Sequence, residues 1–249
     1  MALVFIASFF TIGCRVKLDP VRILTFQEKL SELFINPKVN KLKNTVNNFT
    51  IYNFEIDQFL EKSNKDLGVF RQQFKLVHFN EELPVVVRFV TDFNSEDEFE
   101  FSNLFKANYL YIKSRNVLNQ VAETYKNEQN TSNDFHYIIS QLKRIYTGKW
   151  LSFGNYLEAN NALTHRSFYP WDVEVTIVKK PNFTLLSKET LNFLENRGKK
   201  IIYVVTEENT LITIQPHVDA LVIDENKNTI ESYIPKLKQW LGYSVNFIN

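Results

Sequence analysis

The residues with the clearest chemical potential are two carboxylates, a histidine and two cations. In Phe54–Asp57 (FEID), Glu55 and Asp57 stand two apart. In a strand they face one side and could share a divalent cation or a proton. His78, just before Glu81, is a general acid or base candidate, with a partly buried structural histidine as the plainer reading. Arg88 lies within, and Lys113 at the end of, an apolar run. A mouth holding carboxylates and cations together suits a metal plus an anionic substrate such as a phosphodiester. The alternative for each is a solvated loop charge. His165 and His217 precede apolar runs and read as structural, and His136 reads as a surface residue on a helix.

The elements that must position these side chains follow from periodicity. Asn182 to Asp224 reads as helix, turn, strand, helix, turn, strand. Leu186, Leu191 and Leu194 face one side of a helix started by Ser187, and Lys199 to Val205 is a nearly continuous apolar run. A helix is expected at Glu207 to Gln215 and a buried strand at Val218 to Ile223. Upstream, strands are expected at Phe49–Asp57, Pro84–Thr91, Ala107–Lys113, Lys149–Phe153 and Val173–Val178. Met1–Cys14 is read as a first strand, and Val69–Phe79 as a short antiparallel excursion. Thr25–Phe34 and Ile230–Leu241 read as amphipathic helices. A long helical region is expected up to Thr147, broken by a mobile loop at Asn127–Asn133. Eight strands, most followed by a helix, in 249 residues match the count and length of a (β/α)8 barrel of the TIM type, an α/β fold in a single domain spanning 1–249. The rival, an open doubly wound sheet, calls for a Gly-rich phosphate loop, and none is present. In a barrel the chemistry sits at the carboxyl ends of the strands.

Composition narrows the partners. With 44% apolar and 23% charged residues, the chain has the make-up of an ordinary globular protein. A net charge of +1 without a basic block argues against nucleic acid. Cys14, the one cysteine, has no disulfide partner in the chain and makes no metal cluster. Met1–Cys14 is too short to span a bilayer, so no transmembrane span is expected. As a strand it implies a cytoplasmic protein. As a signal segment, with Cys14 as lipid anchor, it implies secretion or attachment.

The carboxy-terminal third resembles the glycerophosphodiester phosphodiesterase family, relatives of the phosphatidylinositol phospholipases C. The resemblance rests on Gly198-Lys199-Lys200, on Tyr203–Asn209 (YVVTEEN) and on Val218–Asp224 (VDALVID). FEID stands where the family has a cation-binding Glu-x-Asp. Leu76–Leu83 (LVHFNEEL) is similar to its His-Asp segment, and Tyr111–Lys113 falls at its Glu-x-Lys. The departures are Ile12–Arg15 in place of His-Arg-Gly, Tyr111 in place of the third metal carboxylate, and Val205 and Ala220 in place of a tryptophan and a glycine. The resemblance implies metal-assisted hydrolysis of a glycerophosphodiester or phospholipid headgroup. Glu55 and Asp57 would hold Ca or Mg, His78 would act as acid or base, and Arg88 and Lys113 would contact phosphate. Two alternatives stay open: a catalytically inactive barrel that binds a protein partner, and a glycoside hydrolase pairing Glu55 with Glu207 or Asp224.

Overall fold

The computed structural model describes residues 24–44, 49–93, 106–179, 182–196 and 210–214. Its framework is an eight-stranded sheet in the order β1-β2-β3-β5-β4-β6-β7-β8. β1 (Lys38–Asn44), β2 (Phe49–Phe59) and β3 (Val69–His78) form an antiparallel wing, and β3 continues antiparallel onto β5 (Asn108–Lys113). The centre is parallel: β5, β4 (Val85–Val90), β6 (Trp150–Asn155) and β7 (Val175–Lys179). β8 (Thr210–Ile214) closes the order antiparallel to β7.

This architecture corrects the expected (β/α)8 barrel. A barrel needs its first and last strands to pair, and among the described residues β1 and β8 are the two ends of an open, mixed sheet. The strand count agreed with a barrel because a buried run such as Val85–Val90, buried at every position, reads the same whether its neighbours are parallel or antiparallel.

Four local expectations change as well. The helix expected at Glu207–Gln215 contains β8 instead, whose residues TLITI carry the β-branched content of a strand. β1 was not expected: KVNKLKN is lysine-rich, as befits an edge strand that resists further pairing. Val69–His78 is a full member of the sheet. Asn127–Asn133, expected as a mobile loop, is the cap and first turns of α2 (Glu128–Leu142), where the Asn127 side chain accepts from the Asn130 amide at 2.8 Å. The elements expected at 1–14, 199–205, 218–223 and 230–241 lie outside the described residues.

The central strands are buried on both faces, and the core cluster against the helices lies on one of them. Phe54, Phe74, Val87, Phe89, Leu110 and Ile112 meet Phe135, Ile138 and Leu142 of α2 and Ala159, Ala162 and Leu163 of α3 (Leu157–Phe168). α1 (Phe26–Ser31) is fixed by a reciprocal capping box between Thr25 and Glu28. α4 (Lys188–Asn196) packs on α3 and begins at Ser187, whose hydroxyl accepts from the Thr190 amide. No helix of the described residues is long and apolar enough to cross a membrane.

Candidate functional site

The order of the central strands singles out one place. From β4 the chain moves to β5 on one side, then crosses back to β6 on the other. Ligands of open α/β sheets bind outside the carboxyl ends of the strands at such a reversal. Here a cavity of about 300 Å³ lies at that point, lined by Thr91 after β4, Ser114 and Asn116 after β5, and Leu157 and Asn161 after β6. The first turns of α2 and α3 supply further walls through Glu128, Ser132, Phe135 and Asn160.

Its side chains are held from behind. The Ser114 hydroxyl accepts from the Asn116 amide at 3.3 Å, and Asn116 Oδ1 accepts from the Thr131 hydroxyl at 3.2 Å. Asn160 clamps the approach to α4: its Nδ2 donates to the Asn182 carbonyl at 2.9 Å, and its Oδ1 accepts from the Asn182 amide at 3.0 Å. Glu128 Oε1 accepts from the Ser187 amide at 3.2 Å. Beneath α2, the guanidinium of Arg115 bridges both oxygens of Asp134 at 2.6 and 2.8 Å and reaches the carbonyls of Phe59, Leu60 and Tyr125. Both partners of this pair are almost fully enclosed.

Beside the cavity the chain turns sharply from β6 into α3 through Gly154-Asn155-Tyr156-Leu157-Glu158. Tyr156 takes φ 51° and ψ −115°, a conformation that costs a tyrosine strain. Gly154 is required: a Cβ there would stand 2.6 Å from the Glu158 carbonyl. Glu158 in turn receives Arg88 Nη2 at 2.7 Å and Nε at 3.2 Å, a nearly buried ion pair joining the turn to β4. Strand, strained turn, helix is the arrangement that exposes the nucleophile in G-x-S-x-G hydrolases. Here the residue at that position is a tyrosine, 57% exposed.

The residues singled out from sequence are not gathered at this site. Alternation along the strands places Glu55, Asp57, Arg88 and Lys113 opposite the core face, whereas His78 is on the core face. Glu55 and Asp57 flank one guanidinium. Arg71 Nη1 meets Asp57 Oδ1 at 2.6 Å, and Nη2 donates to the Glu55 carbonyl at 3.0 Å. Asp57 Oδ2 accepts from Asn36 Nδ2 at 2.7 Å. These hydrogen bonds from Asn36 and Arg71 hold the Asp57 carboxyl below its usual range. A metal at this pair would have to displace Arg71, and no cluster of three ligating side chains occurs among the described residues.

His78 stacks on Phe26 at 4.0 Å, and its Nδ1 is 2.9 Å from the Tyr146 hydroxyl. Burial lowers its pKa, against a small opposing pull from Glu81. Lys113 caps β5, with its ammonium 5.9 Å from the Phe93 ring centroid. His165 lies inside α3 and is fully buried. His136 is half-buried: its Nδ1 is 2.9 Å from Asp172 Oδ2, and its ring stacks on Tyr169 at 4.1 Å.

Sequence reasoning passed over Tyr156, Asn116, Ser132 and Asn161. The available signal was Gly154 between the apolar run Trp150–Phe153 and the helix-forming LEANNAL, since a glycine between a strand and a helix marks a close backbone approach.

No family model matches the chain, and no curated protein matches it. Solved structures do align. The peroxisomal α/β-hydrolase Lpx1 of Saccharomyces cerevisiae is 13% identical, covers 55% of this chain and 46% of its own, and has a TM-score of 0.44. A CE15 glucuronoyl esterase from Teredinibacter turnerae is 13% identical over 55% of this chain and 42% of its own, with a TM-score of 0.38. E-2-(acetamidomethylene)succinate hydrolase is 18% identical over 68% and 55%, with a TM-score of 0.33. The chain thus spans about half the length of the structures it aligns with. At these values the alignments assign neither activity nor substrate. The open sheet corrects the resemblance to glycerophosphodiester phosphodiesterases and the barrel hydrolysis drawn from it.

Proposed function

We infer that this chain is a ligand-binding domain whose site is the cavity at the carboxyl edge of β4, β5 and β6. The observation that carries the reading is the turn at Tyr156, pinned at Gly154 and by the Arg88–Glu158 pair next to a small polar cavity. Strain of this kind persists where the surroundings over-determine it, and it concentrates at functional sites. A turn of this shape brings a serine hydroxyl close to the backbone amides that stabilise an oxyanion. The phenol of Tyr156 extends its oxygen a full ring beyond that point. The turn therefore serves to hold Leu157, Asn160 and Asn161 in the cavity wall, not to set an attacking oxygen against backbone donors.

A second reading makes Tyr156 a nucleophile in acyl transfer, favoured by its exposure at the turn. Hydrolysis of p-nitrophenyl acetate by wild type and Tyr156→Phe separates the two. The binding reading expects equal background rates in both proteins. A tenfold or greater loss of rate in Tyr156→Phe would overturn it in favour of catalysis.

A further inference from the structure

We propose that the cavity takes a neutral polyhydroxylated ligand of mono- or disaccharide size; this rests on the cavity being the binding site. The first argument is charge. Among the lining residues Glu128 is the one ionisable group, and none is Lys, Arg or His. An anionic ligand would meet a carboxylate without a counter-charge, which disfavours phosphates and carboxylates.

The second argument is unused hydrogen-bonding capacity. Thr91, Asn116, Ser132, Asn161 and Thr164 present hydroxyls and primary amides, groups that both give and take hydrogen bonds. Asn116 spends its Oδ1 on Thr131, leaving its Nδ2 without a partner among the described residues. Asn161 spends its Nδ2 on the Phe89 carbonyl at 3.3 Å, leaving Oδ1 open in the same sense. The Ser132 hydroxyl, on a residue 1% exposed, has no partner among the described residues. Buried polar atoms are ordinarily satisfied, so an orphan in a cavity wall points to a ligand that completes it. One amide N–H donor, one amide oxygen and one hydroxyl match a ring of vicinal hydroxyls, each of which can donate and accept.

The third argument is the rim. Val117, Leu157 and Leu185 line the cavity while remaining exposed. They offer an apolar surface to the C–H face of a sugar ring. A volume of about 300 Å³ is at the small end for ligand sites, which suits one or two rings and not a lipid chain. A peptide is the competing neutral ligand, but its extended backbone calls for a long groove or a sheet edge rather than a pocket of about 300 Å³.

Titration calorimetry of the full chain tests this with methyl α-glucoside, methyl α-mannoside, galactose, maltose and cellobiose. N-acetyl-alanine methylamide and glucose 6-phosphate serve as contrasts. At least one neutral sugar is expected to bind. Asn161→Ala should weaken it tenfold or more, and Leu185→Asp, an exposed position that leaves the fold intact, fivefold or more. Glucose 6-phosphate should bind at least tenfold more weakly than the best neutral sugar. Binding of the amide but no sugar, lost in Leu185→Asp, would overturn the ligand class while leaving the cavity as a site. No binding of sugar or amide, or sugar binding indifferent to both variants, would overturn the proposal and remove the cavity reading with it.

Discussion

The antiparallel wing and the parallel centre treat their polar side chains in opposite ways. On the wing, Asp57 is paired with Arg71 and Asn36, the Glu55 carboxylate accepts from Gln73 with Arg71 3.9 Å away, and His78 is locked between Phe26 and Tyr146. At the carboxyl edge of the centre, Asn116, Ser132 and Asn161 keep hydrogen-bonding capacity beside a cavity, next to a strained tyrosine. The wing therefore looks reactive in sequence and is paired in structure. The centre looks bland in sequence and is where capacity is left over. Residue type alone puts the wing first, and the hydrogen-bonding capacity that the fold leaves unspent puts the centre first.

The largest expected effect comes from cutting the link between the regions. Arg115 ties the end of β2 to α2 through Asp134 and the carbonyls of Phe59 and Leu60. Asp134→Ala would strand a guanidinium that is 1% exposed. Urea unfolding should show a loss of roughly 3–5 kcal/mol, the usual cost of an uncompensated buried charge. A loss under 1 kcal/mol would mean that wing and centre are not coupled through this pair.

Acid should weaken the centre next. Burial alone would raise the Asp172 carboxyl, but hydrogen bonds and charge from His136 and His165 outweigh it and hold it down to about 2, against 3.8 for a free side chain. A depressed carboxyl stabilises the fold above its unfolded value and loses that contribution as pH falls. The window is therefore from about pH 4 to about pH 2 and the size about 2 kcal/mol. Burial also lowers the His165 pKa, so its neutral-form contribution is present above the free value of 6.5 and declines as pH falls below it. Denaturant midpoints measured from pH 7.5 downward should fall in both windows, and Asp172→Asn should lack the lower one.

Smaller effects sharpen the contrast at single residues. Tyr156→Gly should stabilise the protein by about 1 kcal/mol, because glycine enters φ 51° without a Cβ penalty. A destabilisation would show that the phenol contributes packing that exceeds the strain. Asp57→Asn on the wing should cost less than about 1 kcal/mol, since Arg71 keeps carbonyl partners at Asn36 and Glu55 and the pair is only partly buried. Both comparisons need only thermal or urea unfolding.

How much of this could be read from the chain differs element by element. Val85–Val90, Asn108–Lys113 and Trp150–Phe153 were legible as buried strands because continuous apolar runs leave little choice. Their parallel alignment agrees with that reading, whereas Phe49–Phe59 runs antiparallel to both its neighbours, a direction set by the connections and not by the run itself. The wing strand Lys38–Asn44 was hidden by its lysines, and α3 by the polar LEANNALTHRSF, in which Asn160, Thr164, His165 and Arg166 are buried polar groups that blur the helical period. At the site the paired carboxylates were visible, but their partner Arg71, sixteen and fourteen residues away, was not. The turn at Tyr156 was invisible for a different reason. Its strain is a backbone property imposed by the Gly154 contact and the Arg88–Glu158 pair, and a tyrosine in sequence gives no sign of it.

The measurement that bears most directly on the account is amide chemical-shift mapping of the full chain, titrated with a mixture of neutral sugars and small amides. The account predicts perturbations at Asn116, Ser132, Asn161 and Leu185, around the carboxyl edge of the parallel centre. Perturbations centred on Asp57 and Arg71, or on His78, with those four amides unmoved, would contradict it and return the functional site to the wing.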